Sequence, residues 1–227
     1  MVAGGRGVRA AVPESAEPKQ FRPIRGVRML VRSIAPFAAH PRVGPIVVVL
    51  PPEHAASPPA WVGEAAPGRI VVAAGGETRQ ESVASGLAAL PRGPGIVLVH
   101  DAARPFVDAA LIDRVLAVAD LGAVAVPGLP LGDTVKETDA AGLVARTVPR
   151  ERMVAVQTPQ GFPRSTLETA HQRSRGDAGA PATDDAALCE RLGTAVRVVA
   201  GSSRNIKVTT REDFAMAEAL AALAQDV

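Results

Sequence analysis

Residues 46–50 read Ile-Val-Val-Val-Leu, an unbroken apolar run that begins directly after Pro45. A β-branched run without polar alternation fits a strand covered on both faces, and two-sided cover marks a parallel sheet sandwiched by helices. Similar runs stand at 70–73 (IVVA), 96–99 (IVLV), 122–126 (GAVAV) and 196–199 (VRVV). Between them the apolar spacing turns helical. Val83, Leu87 and Leu90 share a face, as do Leu111, Val115 and Val118. Near the C-terminus Phe214, Ala217, Leu220, Ala221 and Ala224 recur in the same way, with Thr210 and Asp213 as a capping box at the helix start. This alternation predicts a single α/β domain over 1–227, with a mostly parallel sheet and helices on both faces. Such sheets bind ligands beyond the C-terminal ends of their strands. The loops to inspect are therefore 74–82, 100–105 and 127–134.

One segment breaks the alternation. Over 131–150 two short β-like runs, Val135-Lys136-Glu137-Thr138 and Leu143–Val148, flank the turn-forming Asp139-Ala140-Ala141-Gly142. That is a hairpin signal. An inserted hairpin projects from its domain, and an isolated one is barely stable in water, so it needs a surface to pack on. A second subunit is the natural candidate.

Composition excludes several classes. The net charge of +2 over 227 residues is too small for general nucleic-acid binding, and no basic tract is interleaved with aromatics. Cys189 is the single cysteine, which rules out an intrachain disulfide and a cysteine metal cluster. It lies in an apolar helical stretch and reads as a small buried hydrophobe. No apolar run approaches membrane-spanning length and no signal peptide is visible, so a cytoplasmic location is expected.

Two stretches carry chemistry. Ala3-Gly4-Gly5-Arg6-Gly7-Val8-Arg9, followed by Pro18-Lys19-Gln20, offers backbone N–H groups and cations to a phosphate. Alone, that cluster is equally a glycine-rich tail. His100-Asp101-Ala102-Ala103-Arg104-Pro105 is stronger: an apolar strand delivers an aspartate at its C-terminal end. Asp101 is a hard oxygen donor suited to Mg²⁺, Ala102 and Ala103 permit close backbone approach, and Arg104 adds a cation. His100 reads as a structural hydrogen-bonder rather than a base.

On these stretches, with GGETRQESV (75–83), PLGDTVK (130–136), TVPRERMVAVQTPQGF (147–162), TDDAALCE (183–190) and NIKVTTREDF (205–214), the chain resembles the 2-C-methyl-D-erythritol 4-phosphate cytidylyltransferases. The resemblance implies a Rossmann-like nucleotidyltransferase domain with a β-arm that intertwines two subunits. It implies transfer of CMP from CTP to methylerythritol phosphate, with pyrophosphate released and Mg²⁺ as cofactor. A phosphate monoester is already largely ionised near neutral pH, so the acceptor needs no general base. The chemical problem is repulsion between two anions, which positioning and cationic stabilisation answer.

Carried over by resemblance, Arg9 and Lys19 stabilise the transition state at the CTP phosphates. Ala3, Gly4 and Gly5 surround the nucleotide; Gly76, Glu77 and Ser82 meet the cytosine and its sugar, and Ala102 lies beside the ribose. Asp101 is the magnesium carboxylate. Arg104, Thr134, Arg150, Thr158 and Lys207 form the methylerythritol phosphate site, with Arg150 and Lys207 orienting that phosphate and the arm residues Thr134 and Arg150 serving the neighbouring subunit. Simpler readings stand beside these. Thr134 and Thr158 also suit strands, Ser82 suits a helix start, and Arg150 beside Glu151 suits a surface ion pair.

The chain departs from the family pattern in three places. The family carries an apolar strand before the glycine loop, whereas only Met1 and Val2 precede it here. The expectation is that the true start lies upstream; the alternative is a non-catalytic nucleotide-binding homologue. The segment between Arg9 and Lys19 is longer than usual and holds Pro13 and Glu14. Ser202-Ser203-Arg204 precedes Asn205 where many relatives have an acidic residue, which leaves Asp101 as the one expected protein carboxylate on the metal. A cytidylyltransferase for another polyol phosphate, such as ribitol 5-phosphate, is the competing enzyme.

Overall fold

The computed structural model describes residues 1–4, 17–174 and 182–223. Gly5 and Arg9 of the glycine loop lie outside the described residues. A short antiparallel pair, β1 (Pro23–Ile24) and β2 (Val27–Arg28), leads into α1 (Met29–Ala39). Then follow β3 (Ile46–Leu50), α2 (Pro52–Ala56), α3 (Ala60–Glu64), β4 (Ile70–Ala74), α4 (Arg79–Ala88), β5 (Ile96–Val99), α5 (Ala109–Ala119) and β6 (Val124–Pro130). The arm is β7 (Val135–Thr138) and β8 (Val144–Val148). The chain returns through β9 (Val154–Val156), β10 (Gln160–Pro163), α6 (Arg164–Ser174), α7 (Asp185–Arg191), β11 (Val196–Ala200) and α8 (Arg211–Leu223).

Parallel pairing holds where the sequence predicts it, β3 with β4 and β11 with β6. The centre of the sheet differs. β10 lies between β5 and β6 and runs antiparallel to both, so the sheet is mixed. β10 has no apolar run to announce it. Its Gln160 is fully buried, with Nε2 donating to Asp184 at 2.6 Å. Gly161 is required there: a Cβ would stand 2.6 Å from Cγ1 of Val115, inside contact distance.

Two-sided burial also holds only in part. β3 is buried throughout, as are the first five residues of β6. The similar runs in β4 and β11 are partly exposed, because each pairs on one side only. β6 continues to Pro130, which converts half of the expected 127–134 loop into strand.

The arm is a hairpin as predicted, with Asp139 Oδ1 accepting from the N–H groups of Ala141 and Leu143 at its tip, 2.9 Å each. The capping box at α8 is present: Asp213 N–H donates to Thr210 Oγ1 at 3.2 Å, and Thr210 N–H to Asp213 Oδ2 at 2.8 Å. Cys189 is fully buried on α7, and burial pushes its thiol up to about 12, which makes it inert.

The first residues occupy the place of the strand expected to be missing or truncated. Val2 bridges in parallel to Val49 on one side and to Asp101 on the other. Val2 N–H donates to His100 O, Ala3 N–H to Val49 O, and Ala102 N–H to Val2 O, all within 2.8–3.0 Å. A stub of the strand therefore stands between β3 and β5. Below it the two strands face each other across a cavity of about 480 Å³, lined on one side by Phe37 and Leu116 and on the other by Val83, Leu87 and Leu167.

Candidate active site

The C-terminal end of β5 delivers Asp101 to a position where three cations converge. Its Oδ1 is 3.2 Å from the Arg79 guanidinium, and its Oδ2 accepts from Lys207 Nζ at 2.8 Å. Burial opposes the charge on Asp101, but Arg79 and then Lys207 outweigh it and hold the carboxyl well below the ordinary carboxylate range. Arg79 itself is clamped by Asp185, at 2.6 Å and fully buried, whose other oxygen meets Nε2 of buried His171 at 2.9 Å. The third cation, Arg104, reaches the carbonyl of Asn205 at 2.8 Å, while its Nε is buried with no partner.

Three motifs far apart in sequence interlock beneath this cluster. His100 Nε2 donates to Arg104 O at 3.0 Å, which leaves Nδ1 to accept from the Thr158 hydroxyl at 3.0 Å. That hydroxyl in turn accepts from Asp101 N–H at 3.0 Å. Asn205 Nδ2 donates to Thr158 O, and Gln157 Nε2 donates to the carbonyls of Ser202 and Asn205. Thr158 thus sits buried at the root of the site, with its hydroxyl committed to Asp101 and His100.

The residues expected on the nucleotide side lie nearby. Gly4, Gly75 and Ser82 pack so closely that a Cβ at Gly4 or Gly75 would lie 3.1 or 3.0 Å from Ser82 Oγ. Gly76 N–H donates to Ser82 Oγ, and a Cβ on Gly76 would stand 2.4 Å from that of Glu81. Thr78 and Glu81 close a capping box that starts α4 beside them. Gln20 Nε2 holds Ala3 O at 2.5 Å, and Lys19 Nζ donates to Val208 O, itself one residue beyond Lys207. Ala102 is buried, its carbonyl held by Ser33 Oγ at 2.8 Å. Glu77 is exposed on the rim.

The structure therefore brings together Ala3, Gly4, Lys19, Gly76, Ser82, Asp101, Ala102, Arg104, Thr158 and Lys207. Thr134 and Arg150 stand exposed on the arm, and Arg150 Nη1 donates to Gly132 O at its base rather than toward Asp101. The profile of the 2-C-methyl-D-erythritol 4-phosphate cytidylyltransferases matches residues 1–222.

The chain belongs to that family.

A cytidylyltransferase of this name from Streptomyces avermitilis is 44% identical over 230 residues, covering 97% of this chain and 89% of that one. A bifunctional IspD/IspF enzyme from Nitratidesulfovibrio vulgaris is 48% identical over 225 residues, 96% of this chain, and the chain spans 56% of its length. The crystal structure of the Thermus thermophilus cytidylyltransferase superposes with a TM-score of 0.78 at 40% identity, covering 92% of this chain and 96% of that one.

Sequence reasoning missed Arg79, Asp185, His171 and Gln157. Arg79 stands inside a stretch singled out for its glycines, and TDDAALCE was recognised without a role. In the structure Asp184 caps α7, accepting from Ala187 N–H at 2.9 Å, and Asp185 anchors Arg79.

His100 makes a pH prediction. Burial pushes it down to about 3, so it stays neutral in the folded protein while the unfolded chain binds a proton below about 6.5. A depressed histidine costs nothing above 6.5 and lowers stability as pH falls from there toward 3. The stability loss attributable to His100 is expected to approach 1.4 kcal/mol per pH unit in mid-window. Urea melts at stepped pH on the native chain and on His100→Gln check this; parallel slopes in the two proteins would contradict it.

Proposed function

We propose that the protein transfers the cytidylyl group of CTP to 2-C-methyl-D-erythritol 4-phosphate, with release of pyrophosphate. The observation that carries this is the Asp101 carboxylate gripped by Arg79 and Lys207 at the end of β5, beside side-chain-free backbone at Gly4, Gly75 and Gly76. In this reading a phosphate oxygen of the acceptor forms the new bond to the α-phosphorus as the bond to the pyrophosphate oxygen breaks. Lys19 faces the triphosphate in this reading, and Lys207 with Arg104 holds the acceptor phosphate; Arg9, expected to share the role of Lys19, lies outside the described residues. In this reading the close-packed Gly4, Gly75 and Gly76 with Ser82 face the cytosine and its sugar, where small side chains let the backbone approach the base. No general base is needed, which agrees with His100 being locked neutral in the scaffold.

Asp101 also fits a magnesium ion. It is a hard oxygen donor at the strand end, and its Oδ2 partner is a lysine whose side chain is 45% exposed. Magnesium bound there would neutralise charge on the triphosphate. With CTP as donor, the reaction belongs in the cytoplasm. No helix among the described residues is long and apolar enough to cross a membrane.

The active form in this reading is a homodimer. Leu143 and Val144 on the arm are 69% and 59% exposed, and Val154, Val156 and Val198 continue an apolar strip along β9 and β11. A second copy of the chain covering this strip would bring Thr134 and Arg150 to its partner's site. Sedimentation is expected to give twice the 23.3 kDa chain mass, and Val154→Lys with Val198→Lys to give the monomer. A native monomer with full turnover would contradict the dimer.

The deciding assay is pyrophosphate release from CTP with each acceptor separately. Turnover with methylerythritol phosphate is expected. Turnover with ribitol 5-phosphate alone, or CTP binding without turnover, would overturn the reading.

A further inference from the structure

Arg79 is placed where no single structural need explains it. It is the first residue of α4, directly after the Thr78 cap whose helix carries Ser82 to the nucleotide side. From there its guanidinium contacts Asp101, just beyond the end of β5, and Asp185 at the start of α7. Asp185 is fully buried and held from behind by His171. The two carboxylate oxygens of Asp101 are therefore unlike. Oδ1 faces a guanidinium that is itself anchored on a buried carboxylate, and Oδ2 faces a half-exposed lysine.

We infer that Arg79 is the positioning residue for Asp101, fixing the carboxylate plane so that Oδ2 alone is presented to a nucleotide-bound divalent cation, with Asp185 and His171 as its backstop. This rests on the proposed CTP chemistry, and it adds a division of labour within that site. Nε and Nη2 of Arg79 both lie 3.2 Å from Oδ1, which pins that one oxygen and so the rotation of the carboxylate, while Nη1 is held by Asp185. A carboxylate rotating freely about its last bond would meet the cation in several poses, and only some suit transfer.

The test measures CTP binding by calorimetry across a Mg²⁺ titration, on the native chain, Arg79→Gln, Arg79→Lys and Asp185→Asn, with melting temperatures recorded for each. Arg79→Gln is expected to raise the Mg²⁺ concentration for half-maximal CTP binding by about tenfold or more, while CTP binding without Mg²⁺ changes less than about twofold. Asp185→Asn keeps Arg79 but loosens its anchor, and a shift of about threefold in the same direction is expected. Arg79→Lys keeps the charge without the planar fork and should rescue melting temperature more fully than the Mg²⁺ midpoint. An unchanged Mg²⁺ midpoint in folded Arg79→Gln would overturn the inference, as would a melting loss fully rescued by lysine together with the midpoint. If the native chain shows no Mg²⁺-dependent CTP binding, the functional reading itself fails. If it binds and the variants match it, this inference alone fails.

Discussion

Replacing Lys207 with alanine is expected to lower kcat for pyrophosphate release by roughly 10²–10³ and to leave the fold intact. The magnitude is that of removing one fixed charge from a transition state that gathers negative charge in a partly desolvated site. Lys207 Nζ stands 2.8 Å from Asp101 Oδ2, within reach of the space where acceptor and triphosphate would meet. Its side chain is 45% exposed, so the ion pair contributes little to stability after solvent screening. Asp101 keeps Arg79 as a partner, and no buried charge is orphaned by the change. The melting temperature is therefore expected to hold while turnover collapses. Lys207→Arg retains the charge but swaps a point for a fork, and partial recovery is expected. A variant that melts normally and turns over within a few-fold of the native rate would remove Lys207 from the chemistry.

The second large effect concerns the cavity between β3 and β5. Val49 N–H donates to Met1 O, and the Met1 amino group donates to Val47 O. Burial pushes that amino group down to about 5, since it lies in the sheet where a peptide N–H would be cheaper. Below it, alternation along the ladder aims the backbone groups of Val47 on β3 and of Leu98 on β5 into the gap. The side chains above and below the gap are apolar, which is the setting of a strand covered on both faces. Extending the chain ahead of Met1 by about five β-branched residues is expected to raise the melting temperature by on the order of 10 °C, each kcal/mol being worth about 2–4 °C at this size. A Gly/Ser extension of equal length also turns the buried amine into a peptide N–H, but without apolar side chains it is expected to give a clearly smaller rise. Hydrogen exchange at the Val47 and Leu98 amides gives a local readout, slowing with the apolar extension only. Equal effects of the two extensions would show that the gap does not accept a strand.

What the sequence discloses and what it hides follow from how each element is stabilised. β3 is legible because its five residues are all buried and all aliphatic. The arm is legible because an Asp-to-Gly turn between β-formers has a local cause. β10 is not legible. Its central place depends on a buried glutamine whose amide nitrogen is held by Asp184 and a glycine squeezed against Val115, and neither leaves a hydrophobic period. The stub at residues 1–3 is too short for any pattern, and its strand character comes wholly from neighbours on both sides. At the site, Asp101 and Lys207 are visible through their motifs. Arg79 is not, because the partners that give it meaning lie 22 and 106 residues away along the chain.

The antiparallel insertion of β10 sets an order of assembly. Gln160 pairs with Val99 and Pro163 with Ile96, so β5 gains its neighbour on that side only after the chain has run out through β6, the arm and β9. Contacts of such long sequence separation form late and slowly, because loop closure must precede any gain. On a ribosome, β3 and β4 can pair while β5 still waits, and the arm emerges before the strand that seats its own root. The β5 end that carries Asp101 and the strand β6 that leads to the arm are thus joined in time by one four-residue strand, placed between them after both have been made.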